Sequence, residues 1–160
     1  MSDLTHFNER GEERIVDISS KEATAREATA RGCVYASAQT LERIASDSLA
    51  KGDPLAAARL AGMMAAKRTS ELIPLCHPLF LTAVSVRLEL NAPQGCVDIE
   101  ATVKVRGQTG VEMEALTAVS VAALTVYDMC KSVDKEMTIG EIRLVRKTGG
   151  RGGAYERREG

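Results

Sequence analysis

Two neighbouring stretches in the middle of the chain alternate between apolar and polar residues. Residues 80–90 show the alternation, and residues 97–106 show it more strictly. In the second stretch the apolar positions are Val97, Ile99, Ala101, Val103 and Val105. A period of two is typical of a strand with one buried and one solvated face. Because the turn-forming segment NAPQG lies between the two stretches, the pattern predicts a β-hairpin.

Three other stretches carry helical signals. The first predicted helix covers residues 37–49. A second follows Asp53, which can cap it, has Pro54 in its first turn and extends to about residue 72. The longest covers residues 111–131 and has Ala, Val and Leu on nearly every side. Such a composition predicts a helix that is buried over most of its surface.

Both ends of the chain are more polar than its middle. Residues 1–30 predict an extended arm with a short strand candidate at 15–18, and residues 148–160 predict a flexible, basic, glycine-rich tail. A short strand at 33–36 and a last strand at 137–145 complete the domain between them. The order strand, helices, strand, strand, helix, strand predicts an α+β domain over residues 31–147. This is the ferredoxin-like (split βαβ) pattern, an antiparallel sheet with helices on one face.

Composition excludes several classes of protein. The chain has 160 residues and a net charge of −1, which does not suit a nucleic-acid coat protein, and its aromatic content of 3% is too low for base-stacking surfaces. The four cysteines form no CxxC pair, so free thiols in a reducing compartment are expected. The N-terminus lacks the apolar core of a signal peptide, and the longest uncharged apolar stretch, residues 115–127, is shorter than a membrane span. We therefore expect a cytoplasmic protein that binds neither membranes nor nucleic acids.

Polar residues in apolar surroundings are the candidates for chemistry. Pro74 and Pro78 hold Leu75, Cys76 and His77 in a loop, where His77 is either a fixed hydrogen-bonding or proton-transfer group or a structural residue. With two histidines in the chain, no complete set of metal ligands is visible, and no metal site is predicted.

Both ends of the longest helix carry charged residues. Glu112 and Glu114 lie at its start, where the helix dipole alone could explain carboxylates, and Asp128 and Lys131 have the spacing of an ordinary helical salt bridge. Glu114 and Asp128 lie 14 residues apart, which is roughly 21 Å along a straight helix. If both are functional, the site must combine the helix ends of two different subunits.

Basic residues are scattered over the chain. They include Lys21, Arg26, Lys51, Lys67 and the tail segment KTGGRGG, which begins at Lys147 and contains Arg151. Glycine-rich basic loops allow backbone N–H groups and cations to approach phosphate oxygens, although this tail does not have the spacing of a P-loop.

Three uninterrupted motifs carry a family resemblance. They are LIPLCHPL at residues 72–79, TGVEMEALT at 109–117 and YDMCK at 127–131. Together with LTH at 4–6, KGD at 51–53 and AAKRT at 65–69, they resemble the molybdenum cofactor biosynthesis protein C family (MoaC) over essentially the whole chain. The tail departs modestly from the family, since Arg151 stands where members often have lysine.

The resemblance implies an activity and an assembly. Members of this family are cyclic pyranopterin monophosphate synthases, which rearrange 3′,8-cyclic dihydro-GTP to cyclic pyranopterin monophosphate and release pyrophosphate. They are ferredoxin-like homohexamers, trimers of dimers with active sites between subunits. The family's catalytic aspartate falls on Asp128, and its essential lysines fall on Lys51 and Lys131.

Substrate binding is implied for further positions. The family's binding stretches fall on Leu75, Cys76, His77, Met113 and Glu114, and we add Glu112, Lys67, Lys147 and Arg151 as binding candidates. Our hypothesis is that Lys131, with a pKa depressed in an apolar pocket, and Asp128 transfer protons while Lys51 binds the triphosphate. No cofactor is predicted, although Mg²⁺ could accompany the triphosphate.

Two rival hypotheses are a regulatory ligand-binding module without turnover and an RNA-binding domain. An RNA-binding domain of this topology would need aromatic residues on the open face of the sheet, and the hairpin strands present polar and charged residues there.

Overall fold

A computed structural model describes residue 6 and residues 10–158 of the protein. In chain order its elements are β1 (Thr24–Tyr35), α1 (Ala38–Ala45), α2 (Pro54–Ala66), α3 (Thr69–Leu72), β2 (Ala83–Asn91), β3 (Cys96–Gly107), α4 (Glu112–Cys130), β4 (Thr138–Thr148) and β5 (Tyr155–Glu156). A short 3-10 turn, Ala92–Gln94, joins β2 to β3.

The strands form one antiparallel sheet in the order β2-β3-β1-β4-β5. This order, with α2 and α4 packed together on one face, confirms the predicted α+β ferredoxin-like fold. The hairpin is confirmed too, because β2 pairs with β3 from Asn91 and Cys96 at the turn to Ala83 and Lys104 at the open end. Gly95 completes the turn with a φ of 69°, a left-handed conformation that glycine adopts without steric cost.

The helix ends follow the local chemistry of the sequence. The Asp53 carboxylate accepts hydrogen bonds from the backbone N–H groups of Leu55 and Ala56, so the predicted cap is present. Helix α2 ends at Ala66 rather than near residue 72, and the separate helix α3 follows it. The predicted first helix is likewise shorter, because the chain leaves helical geometry after Ala45.

Helix α4 packs against the centre of the sheet. Gly32 of β1 faces it so closely that a Cβ there would lie 2.8 Å from Val119 Cγ1. Gly62 of α2 makes a similar approach, since its Cβ would lie 2.9 Å from the carbonyl oxygen of Ala118. Helix α4 is long and apolar enough to cross a membrane by length and composition, but half of that segment is buried inside the protein. The apolar character of α4 is therefore explained by its packing in the core.

Three predictions about the ends of the chain are wrong. Strand β1 begins at Thr24, well before the predicted residue 33, so the last part of the proposed 1–30 arm belongs to the central strand of the sheet. Its buried face carries the small side chains of Ala28 and Ala30, which give a weak hydrophobic pattern. Residues 15–18 form no strand. The tail folds back as β5, in which Tyr155 pairs with Lys147, so this part of the predicted flexible segment is ordered against the sheet.

Candidate active site

The C-terminal end of α4 carries a compact charged trio. Asp128 Oδ1 lies 2.7 Å from Lys131 Nζ, one helical turn further along the chain. Lys51, from the loop between α1 and α2, donates to the Asp128 backbone carbonyl at 2.9 Å and lies 3.5 Å from its Oδ2. The fold thus brings together the three residues to which the resemblance assigns catalysis.

The trio is charged and open to solvent. A hydrogen bond and the positive charge from Lys131, together with the charge of Lys51, lower the pKa of Asp128. The same hydrogen bond raises the pKa of Lys131. The expectation of an apolar pocket that depresses the Lys131 pKa is therefore wrong for this chain, because 52% of that side chain is exposed and a carboxylate touches it. Lys131 is a stabilised ammonium group, and Asp128 is a carboxylate.

A cavity lies at the other end of α4, beside the loop that precedes the helix. Loop 75–77, held between two prolines, forms one wall, and the first turn of α4 forms another. The residues lining this acidic cavity are His6, Val16, Ile18, Lys21, Leu75, Cys76, His77, Leu79, Thr109, Gly110, Glu112, Met113 and Glu114. Six of our predicted binding residues therefore share one cavity, although they come from segments far apart in sequence.

The polar groups of the acidic cavity have distinct environments. Glu114 is only 3% exposed, and burial, with a smaller contribution from the charge of Glu112, raises its pKa. Burial and the charge of Glu114 raise the pKa of the Cys76 thiol. His77 Nε2 donates to the backbone carbonyl of Val16 at 2.8 Å, which ties the N-terminal segment to the loop. A carbonyl only accepts, so Nε2 carries a proton.

A second cavity adjoins the first and is basic. It lies where the N-terminal segment, the start of β1 and the glycine turn after β4 meet, and Lys21 lines both cavities. The residues lining this basic cavity are Ser20, Lys21, Glu22, Thr24, Arg26, Gly150, Arg151 and Gly152. Thr24 Oγ1 is buried there and has no hydrogen-bond partner in the part of the chain that the structure describes. An unsatisfied hydroxyl, three cations and flexible glycine backbone form a set of donors suited to phosphate oxygens.

Lys147 forms an ion pair with Glu112 of the acidic cavity and lies close to Gly152 of the basic cavity, although it lines neither. Its Nζ lies 2.8 Å from Oε1 of Glu112, and both side chains are about two-thirds buried. Lys67 is exposed at the C-terminal end of α2 and does not line either cavity described here. The sequence shows Lys21 and Arg26 as basic residues but does not place them at the site, because their position depends on where β1 begins.

The trio and the two cavities are not one site within a single chain. Glu114 and Asp128 occupy opposite ends of the 19-residue helix α4, roughly 21 Å apart along its axis.

Among residue 6 and residues 10–158, no group of three or more His, Cys, Asp or Glu side chains could hold a metal ion. The four cysteines are free thiols, as expected.

Comparison with known proteins bears directly on these cavities and motifs. A family model described as the MoaC family matches residues 15–150. The chain belongs to the MoaC family. The matched range includes the charged trio and, apart from His6, every residue that lines the acidic cavity, so the family resemblance of the sequence is confirmed.

Relatives in the MoaC family cover nearly the full chain. Cyclic pyranopterin monophosphate synthase of Roseiflexus castenholzii is 62% identical over 153 residues, which is 96% of this chain and 97% of its own length. The protein of the same name from Parvibaculum lavamentivorans is 62% identical over 153 residues, 96% of each chain. That of Heliobacterium modesticaldum is 60% identical over 159 residues, 99% of this chain and all of its own.

Proposed function

We propose that the protein is a lyase of molybdenum cofactor biosynthesis that converts 3′,8-cyclic dihydro-GTP to cyclic pyranopterin monophosphate and pyrophosphate. The observation that carries this proposal is the continuity of an acidic and a basic cavity through Lys21. A nucleoside triphosphate derivative is complementary to this pair of cavities, because it has an N–H-rich base at one end and anionic phosphates at the other. The names of the close relatives support the same reaction.

The acidic cavity receives the guanine-derived ring and the sugar. Carboxylates accept hydrogen bonds from ring and exocyclic N–H groups, and among the described residues no cation forms an ion pair with Glu114, which lines the cavity. Backbone and side-chain groups of Leu75, Cys76, His77 and Met113 line the remaining walls. The scarcity of aromatic residues means that these polar groups, rather than stacked rings, select the base.

The basic cavity receives the triphosphate. Lys21, Arg26 and Arg151 supply three positive charges, and Gly150 and Gly152 allow the backbone to come close to phosphate oxygens. Lys147 lies beside this turn, since a Cβ on Gly152 would be 3.9 Å from its Nζ. The same cations stabilise pyrophosphate as it leaves. Mg²⁺ accompanying the phosphates is compatible with this arrangement.

Proton transfer is the role of the charged trio. Asp128 starts as a carboxylate and Lys131 as an ammonium group, so Asp128 is placed to accept a proton and Lys131 to donate one. Lys51 holds the backbone of Asp128 and adds positive charge for the phosphates. The 21 Å between the helix ends requires that the trio come from a second copy of the chain. We propose a cytoplasmic homohexamer, a trimer of dimers, with each active site at a subunit interface.

Turnover is tested by incubating the purified protein with 3′,8-cyclic dihydro-GTP and measuring pyrophosphate and cyclic pyranopterin monophosphate. Asp128→Asn, Lys51→Ala and Lys131→Ala are expected to abolish product formation while the oligomer persists in light scattering. Lys135→Ala, an exposed lysine four residues beyond Lys131, is the matched control and should retain full rate. Binding of the substrate without pyrophosphate release would instead favour a regulatory module.

The shared site is tested by complementation. Glu114→Gln and Asp128→Asn are each expected to be inactive, and coexpressing the two variants should restore activity. In a mixed dimer one site then receives both wild-type groups and the other receives both substitutions. A site formed within one chain would give no recovery, because every chain would carry one defect.

A further inference from the structure

Gln108 occupies the short loop between β3 and α4, at the border of the two cavities. Its side-chain Nε2 donates to the backbone carbonyl of Lys21 at 2.9 Å. Its own backbone carbonyl accepts from Arg26 Nη2 at 3.1 Å. One residue therefore contacts two of the three cations that line the basic cavity, although it is not itself part of the lining.

Lys21 depends on such a contact because it lies outside regular secondary structure. Its backbone N–H donates to the Ile18 carbonyl at 2.9 Å, a bond within the same N-terminal segment. The next tie toward the N-terminus is the bond from His77 to Val16, five residues away. The bond from Gln108 joins residues 87 positions apart in sequence and fastens Lys21 to the body of the domain.

Arg26 is held from two sides. Its Nε donates to the Gly107 carbonyl at 2.9 Å, next to the bond with Gln108. On the opposite side lies the glycine turn after β4, where a Cβ at Gly150 would come within 2.8 Å of the guanidinium carbon. Two of the five guanidinium N–H groups serve the loop, and three others are not used by it. The orientation of this cation is therefore set before any ligand binds.

We infer that Gln108 is a positioning residue for phosphate binding: its side chain holds Lys21 at the junction of the cavities while its carbonyl orients Arg26. This inference rests on the proposed function. Because the Lys21 backbone and the Arg26 guanidinium are fixed in advance, less conformational entropy is lost when a triphosphate binds. Gln108 thus acts through Lys21 and Arg26 and makes no contact with the reacting atoms.

The experiment replaces only the side-chain donor. Gln108→Met preserves length and volume, removes the bond to the Lys21 carbonyl and leaves the backbone bond to Arg26 in place. Gln94→Met is the matched control, since Gln94 is exposed in the turn between β2 and β3. Binding of inorganic triphosphate is measured by calorimetry, and amide hydrogen exchange is followed across residues 16–24.

For Gln108→Met we expect triphosphate binding about tenfold weaker, KM about tenfold higher and kcat within about twofold of wild type, which corresponds to the loss of one hydrogen bond. Exchange across residues 16–24 should become faster, while Gln94→Met should match wild type in every measurement. Unchanged triphosphate affinity with unchanged exchange would overturn the inference, as would a fall in kcat at constant KM. If wild-type protein neither binds triphosphate nor releases pyrophosphate, the proposed function fails, and the exchange experiment still decides whether Gln108 holds Lys21.

Discussion

We expect the substitution Gly110→Ala to lower the activity of the acidic cavity much more than the stability of the fold. Gly110 precedes α4, and a Cβ there would lie 2.7 Å from the carboxyl carbon of Glu112 and 2.9 Å from its Oε1. Oε2 of Glu112 would be closer still, so in Gly110→Ala the carboxylate must retreat by more than about 0.7 Å to reach ordinary contacts of 3.4 Å. We expect this movement to break the 2.8 Å hydrogen bond that Oε1 accepts from Lys147, because such bonds form only within about 2.7–3.2 Å.

We expect Gly110→Ala to have a small effect on the free energy of unfolding and a large effect on kcat/KM. An ion pair whose side chains are 28% and 34% exposed contributes about 0–1 kcal/mol to stability, and Gly→Ala in a loop offsets part of the loss by restricting the unfolded chain. Loss of a positioned charged hydrogen bond at a binding site costs about 1.5–3 kcal/mol. We therefore expect kcat/KM to fall about 10- to 100-fold, while the free energy of unfolding changes by less than about 1 kcal/mol.

Gly107→Ala, at the end of β3 just before the same loop, is the matched control. A Cβ at Gly107 would have Val105 Cγ2 at 3.5 Å and the Thr109 carbonyl at 4.0 Å, which are ordinary contacts. Pyrophosphate release and urea unfolding are measured for both variants at one protein concentration. If Gly110→Ala retains the kcat/KM of Gly107→Ala, the steric argument is refuted. A loss of stability well above 1 kcal/mol would show instead that Gly110 serves the fold.

Three further predictions concern stability. Gly62→Ala should destabilise the protein by about 1 kcal/mol in urea unfolding, because the added Cβ at 2.9 Å from the Ala118 carbonyl outweighs the better helix propensity of alanine; a stabilised variant would contradict this. Asp134→Ala should cost about 1 kcal/mol in the same assay, since Asp134 accepts from the Ser37 backbone N–H at 2.9 Å at the start of α1. Burial raises the folded-state pKa of Glu114, so its ionisation opposes folding as pH rises above the unfolded value of 4.5. Glu114→Gln should therefore be more stable than wild type at neutral pH, and the difference in unfolding free energy should vanish below pH 4.5; a difference that grows toward low pH would contradict the sign.

Local patterns in the sequence predicted the elements whose signals are carried by neighbouring residues. The alternation in residues 97–106 reports the two environments of β3, and Asp53 followed by Pro54 marks the start of α2. The apolar character of α4 likewise follows from its central position. The three motifs at 72–79, 109–117 and 127–131 identified the family because they are long and uninterrupted.

Other features depended on contacts between distant segments. Strand β1 was predicted too short because Ala28, Ala30 and Gly32 are small where α4 packs closely, and small residues give little periodic signal. Strand β5 forms because two residues of the tail pair with β4. The Lys131 pKa was predicted in the wrong direction because helical spacing does not reveal whether the surrounding surface is apolar or open to water.

The sequence by itself determined the fold class, the family and the residue types available for chemistry, since these follow from local periodicity, capping and uninterrupted motifs. Only the tertiary structure decided that Lys21 joins an acidic and a basic cavity and that Gln108 holds it there from 87 residues away. The physical reason is that strand pairing and loop packing depend on the register of β1 against β3 and β4. A local window contains no information about that register, whereas one antiparallel sheet fixes all of these positions together.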